Sequence, residues 1–195
     1  GASFGTLDGV TLVTGLSESN IGGTGRNLEF LINNSENNSE YTLSTDNKFF
    51  LNRDMDISFG VTYKERDYSK SSSYQLDKYQ ISTGLSYKFD DNIFHSIQLN
   101  YELDDIYITD MSTVSSTIKD VEGGSAKFIL ENGLTYTTLN SFLFPRNGNY
   151  LKLLNAIETP SSSQNGYIKN TLTYKKFKEF NKDIGSFQAK IGNIF

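Results

Sequence analysis

The chain has 195 residues and a net charge of −5, with no basic stripe of the kind a nucleic-acid binder carries. It contains no cysteine, which excludes a disulfide framework and a thiolate zinc site, and its single histidine, His95, excludes the usual multi-histidine metal sites. The rest is polar with embedded aromatics, 12 Tyr and 14 Phe against no Trp, together with 16 Gly, a composition that suits strands and turns.

The chain opens GASFG, without a Met or a basic-then-apolar leader, so a signal peptide is expected to have been cleaved or to lie outside this piece. No apolar run approaches the roughly 18 residues of a membrane helix. Strands are predicted at 2–6, 10–18, 26–34, 39–46, 55–66, 76–89, 93–105, 124–137, 149–158, 167–177 and 184–194. No helix is predicted, because a 3.6-residue apolar spacing never persists.

The period is two almost throughout. Ile57, Phe59, Val61 and Tyr63 alternate with Ser58, Gly60, Thr62 and Lys64. Tyr79, Ile81, Thr83, Leu85, Tyr87 and Phe89 alternate with polar and small residues, as do Ile97, Leu99, Tyr101 and Leu103. Successive side chains on a strand point to opposite faces, so each segment carries one apolar and one polar face. The Asp90–Asn92 turn, 47–54 and 178–185 are compact links; 67–77, 106–124 and 159–166 are longer and Ser-rich. Near the end of the eighth strand stands FPRNGNY (144–150). Pro145 needs no ladder bond there, and Asn147 and Gly148 tolerate the positive φ of a tight hairpin.

Two architectures fit this pattern. A soluble sandwich hides its apolar faces between two sheets. A membrane barrel turns them to lipid, ringed by aromatics at the interfaces, and alternates short turns with longer loops. Tyr63, Tyr79, Phe89, Tyr136, Tyr174 and Phe177 at strand ends favour the barrel, with Phe142, Phe144 and Tyr150 as interface aromatics around the turn. Eleven strands is an odd number, whereas bacterial barrels are even.

Three segments, NIGGTGRNLEF (20–30), TDNKFFLNRDMDISFGVTYKERDY (45–68) and LTYTTLNSFLFPRNGNYLKL (134–153), in this order and at this spacing, resemble the barrel of the bacterial surface antigen family of outer-membrane proteins, nearest to its assembly factors. The resemblance implies an all-β antiparallel transmembrane barrel of about sixteen strands, preceded by periplasmic repeat domains. Residues 1–195 would then be a single partial barrel domain with neither those repeats nor the closing strands. It further implies a bacterial outer-membrane location and a protein that folds client barrels into that membrane. A lateral seam between first and last strands opens, and an unpaired edge templates a client strand. The implied partners are outer-membrane lipid, unfolded client barrels and accessory assembly lipoproteins, with no nucleic acid, no cofactor and no enzymatic chemistry. A self-contained small barrel acting as porin or adhesin, a related two-partner secretion transporter, and a soluble β-protein remain as alternatives.

Within that frame Phe144, Pro145, Asn147 and Gly148 form the family's turn motif, and Ala2, Ser3, Phe4, Gly5 and Thr6 form a candidate gate strand. Ile57, Phe59, Val61, Tyr63, Ile81, Leu85, Leu99, Leu151 and Leu153 are expected to face lipid, with Ser58, Gly60 and Thr62 inward. His95 reads as an interface or turn-edge side chain, since a catalytic histidine needs a nucleophile and an orienting acid. Glu102, Asp104, Asp105 and Asp110 lack the ligand spacing of a calcium loop and read as solvated extracellular charge. Lys169, Lys175, Lys176, Lys178 and Lys182 read as a solvated basic turn, or as a contact for anionic head groups or an accessory protein.

Overall fold

The computed structural model describes residues 1–5, 9–48, 50–52, 54–161, 165–181 and 183–195. Alternation has produced strands wherever it was read. They are β1 (Ala2–Gly5), β2 (Gly9–Glu18), β3 (Arg26–Asn34), β4 (Asn38–Asn47), β5 (Met55–Asp67), β6 (Tyr74–Lys88), β7 (Ile93–Ile108), β8 (Gly123–Thr137), β9 (Gly148–Glu158), β10 (Tyr167–Phe180) and β11 (Asp183–Ile194). All belong to one 11-stranded antiparallel sheet whose spatial order is the chain order. A sandwich needs two facing sheets, so this single meander overturns that alternative.

Two single-turn helices interrupt the all-strand expectation. They are α1 (Ser69–Ser72) and α2 (Ser116–Lys119), both in links between strands. The Ser115 side chain caps α2 by accepting from the Ile118 N–H at 3.4 Å, which holds this turn although the propensity of its sequence is low.

Burial is inverted relative to a water-soluble core. Among the described residues, the buried polar side chains are Asn100, Glu102, Thr137, Glu158 and Thr171, and the buried apolar ones only Val114 and Ala156. Phe59, Val61 and Ile81 are 50, 54 and 58 % exposed on regular mid-strand positions. Register shows why. Phe59 faces Thr83 and Thr83 faces Leu99, while Val61 faces Ile81 and Ile81 faces Tyr101, so over β5–β7 one face of the sheet is a largely apolar wall. The other face carries Ser44, Gly60, Ser82 and Asn100 in one cross-strand row. Glycines there leave room for a serine hydroxyl of the next strand: a Cβ on Gly60 would lie 2.7 Å from Ser82 Oγ, and one on Gly84 2.6 Å from Ser58 Oγ.

Candidate functional site

On the apolar face, aromatics gather near both strand ends. Tyr41, Tyr63 and Tyr79 share one row, with ring centroids 6.3 and 4.7 Å apart. Towards the opposite end of β6 and β7, the Tyr87 ring lies 4.7 Å from Phe89 and 5.1 Å from His95. Tyr79 and Tyr87 are separated by about 27 Å of strand at about 3.4 Å per residue, or about 20 Å of depth at a tilt of about 40°, close to the apolar band of a membrane barrel. Just beyond the tyrosine row stand Glu65, Asp77 and Asp105, again directly opposite one another. The apolar wall thus ends abruptly in charge.

His95 is one of the wall's boundary residues. Its Nε2 shares a 2.9 Å hydrogen bond with Asn132 Oδ1, which supports its reading as an interface side chain packed among aromatics.

The concave face holds an ion network that the sequence reading missed. Lys127 Nζ lies 3.6 Å from Glu102, 3.5 Å from Asp104 and 3.7 Å from Glu158; Lys78 adds contacts of 2.9 Å to Glu102 and 3.5 Å to Asp104. Glu102 and Asp104 are therefore not solvated extracellular charge. Even-numbered positions of β7 point inward, and the facing positions of β6 and β8 supply lysines. Asp105, on the outward parity, accepts instead from the Tyr107 hydroxyl at 2.6 Å. Asp110 spends its lone pairs locally on the Ser112 N–H and hydroxyl, which hold its carboxyl below the usual range. A polar recess of about 660 Å³ opens beside this face at the β3–β4 and β5–β6 links, lined by Asn33, Asn38, Glu40, Arg66 and Tyr68 among others.

The basic cluster divides between faces. Lys169 and Lys175 share the inward parity of Thr171 and Thr173, and Lys175 Nζ sits 5.6 Å from the Tyr150 ring. Lys176 and Lys178 share the outward parity of Leu172 and Tyr174, and Lys178 Nζ lies 5.3 Å from the Phe180 ring. Lys182 lies outside the described residues. The same parity corrects two aromatics: Tyr150 and Phe177 stand on the concave face, opposite to Tyr174.

The FPRNG turn is not a short hairpin. β8 ends at Thr137 and β9 starts at Gly148, so residues 138–147 form a folded loop. Asn140 Oδ1 accepts from the N–H groups of Arg146 and Asn147, each at 3.0 Å, and closes it from within. Gly148 takes φ 115°, whereas Asn147 keeps negative φ and works through its side chain. Its Oδ1 accepts from the Glu179 N–H at 3.1 Å, and Arg146 pairs with the Glu179 carboxylate. The loop is thereby tied to the end of β10. Beyond the tie, Phe142, Leu143 and Phe144 are left exposed, with Phe142 against Phe94 at 6.3 Å. Arg146 and Glu179 carry no periodic signal that would pair them.

The sheet's two edges differ. β1 pairs only with β2 over Ala2–Gly5, while β11 is fully laddered on β10 from Asp183 to Ile194. Of the candidate gate strand, Thr6 lies outside the described residues. Among the described residues β1 and β11 do not pair with each other, so this sheet does not close on itself.

The crystal structure of BamA from Haemophilus ducreyi lacking POTRA domains 1-3 shares this fold, with a TM-score of 0.75 and 18% identity. The match covers 99% of this chain and 39% of that one, so the chain spans about two fifths of the solved protein. A family model, the Omp85 superfamily domain, matches residues 20–194, from the link after β2 to the last residue of β11. With nearly the whole meander covered by that model, the chain belongs to the Omp85 superfamily.

Proposed function

We propose that this chain is part of the barrel wall of an outer-membrane protein assembly factor, which folds client β-barrels into the bacterial outer membrane. The observation that carries the reading is the inverted burial of a single meander, apolar outside and charged inside, in a member of the Omp85 superfamily. An isolated open sheet of this kind has no stable place in water and none in lipid unless its edges are paired. Residues 1–195 act as one partial barrel domain, completed by further strands. Ile57, Phe59, Val61, Tyr63, Ile81, Leu85, Leu99, Leu151 and Leu153 face lipid.

In this reading β1 is one lip of a lateral seam. Four residues make few ladder bonds, and the short strand opens at low cost to template a client strand by β-augmentation. The partners are lipid, unfolded client barrels and accessory lipoproteins. The protein supplies position and a hydrogen-bonding edge, with no covalent step and no cofactor. Depleting the protein from its host is expected to lower the outer-membrane content of unrelated β-barrels together. Loss of one exported soluble protein with other barrels unchanged would instead identify a secretion transporter and contradict the proposal.

A further inference from the structure

On the outward face of β8–β11 one row breaks the apolar pattern. Asn132 faces Asn155, Asn155 faces Asn170, and Asn170 faces Asn193. The adjoining rows read Leu130, Ile157, Ile168 on one side and Leu134, Leu153, Leu172, Ile191 on the other. Within the row the Asn155 amide donates to Asn170 Oδ1, and His95 of β7 reaches Asn132 from one position away. A carboxamide in hydrocarbon needs a partner, and another carboxamide offers both a donor and an acceptor.

Alternation fixes which face a side chain occupies but not the register, because a slip of two residues returns every side chain to its own face. A short link fixes register where there is one, and only two residues separate β10 from β11. The junctions β7–β8, β8–β9 and β9–β10 are joined by residues 109–122, 138–147 and 159–166, the longer links of this half of the sheet. Those are the junctions that His95 and the asparagine row bridge. Slipping β10 by two residues would set Asn155 against Leu172 or Ile168 and strand amides in lipid.

We propose that the row is a register-selecting element: it selects the strand register in which carboxamide meets carboxamide. This rests on the outward face lying in lipid.

Because the chain has no cysteine, introduced disulfides report register without background. With Tyr174→Cys, a second cysteine at Leu151 reads the native register and one at Leu153 reads a two-residue slip. In intact host membranes, where the rest of the protein pairs the edges of the sheet, the otherwise unaltered chain is expected to form only the 151–174 disulfide. Adding Asn170→Leu with Leu172→Asn moves the β10 carboxamide by two, and the ratio of disulfides is expected to shift about tenfold or more towards 153–174. Adding Asn155→Leu with Asn170→Leu instead removes the pair from a face that becomes more apolar, and both disulfides are expected. The 151–174 disulfide alone in both variants overturns the proposal. Fast reaction of the reduced 151 or 153 thiols with a water-soluble reagent would show that the lipid-facing reading has failed, a result distinct from protected thiols in an unmoved register.

Discussion

Gly148 holds φ at 115°, and a Cβ built on it would lie 2.2 Å from the Thr138 carbonyl oxygen. Gly148→Ala is therefore expected to destabilise the folded state by about 1–3 kcal/mol from backbone strain, with the steric clash adding to it. Gly22 also has positive φ, at 57°, but open space around it, so Gly22→Ala is expected to cost less. Denaturant midpoints of the refolded protein in detergent would rank the two. On the concave face, Lys127→Met removes the cation shared by Glu102, Asp104 and Glu158. A loss of about 1–3 kcal/mol is expected, because partly buried carboxylates are left under-paired. Adding Glu158→Gln should recover part of it, and a double-mutant cycle on the same midpoints would show whether it does. Ile57, Phe59 and Val61 could be placed on one face from local pattern, whereas the turn and gate residues come from the family resemblance. The Lys127 network and the Arg146–Glu179 tie could be read from neither, because each is made by strands brought together only through register.

At the scale of elements, strand spans were legible because a strand that is apolar on one face writes a period of two along its own sequence. Ends were less so. β7 runs on to Ile108 rather than 105 because Tyr74 and its neighbours continue the ladder, and β10 runs on to Phe180 rather than 177, so that only two residues separate it from β11. Tyr174 and Phe177 differ by an odd number, so a regular strand places them on opposite faces; reading aromatics by composition alone overlooked that. The expected contrast of short and long links holds from β6 to β8 and from β9 to β11 but fails elsewhere: residues 35–37 are a short link at the end of the long ones, 138–147 is a long link at the other end, and 19–25 and 48–54 at that end are longer than 68–73. The 35–37 link is held to α1 by Lys70 Nζ on Glu36 at 2.6 Å, and this bond lowers the Glu36 carboxyl and raises the Lys70 amine from their ordinary values. Glu36 thus contributes stability that is complete above its ordinary range and disappears as pH falls through its lowered value; Lys70 contributes below its ordinary range and loses this as pH rises through its raised value. The tie is intact at neutral pH. In an NMR titration Lys70→Gln is expected to move the Glu36 carboxyl transition upward, whereas an unmoved transition would mean that the contact is not held in solution.

Across the whole molecule, one property organises the rest: the sheet wears its apolar side outward and buries Glu102 and Glu158 on the other side. The same strands in water would expose a sheet-wide apolar surface far larger than a soluble monomer carries. The aromatic girdles and the abrupt carboxylate border are what a wall meeting hydrocarbon would need. The most direct test is a cysteine accessibility scan on β5 in intact membranes, one cysteine at a time, with a membrane-impermeant thiol reagent. Protection at 57, 59 and 61 with labelling at 58 and 62 is the predicted result. Labelling at 57, 59 and 61 with protection at 58 and 62 would contradict it.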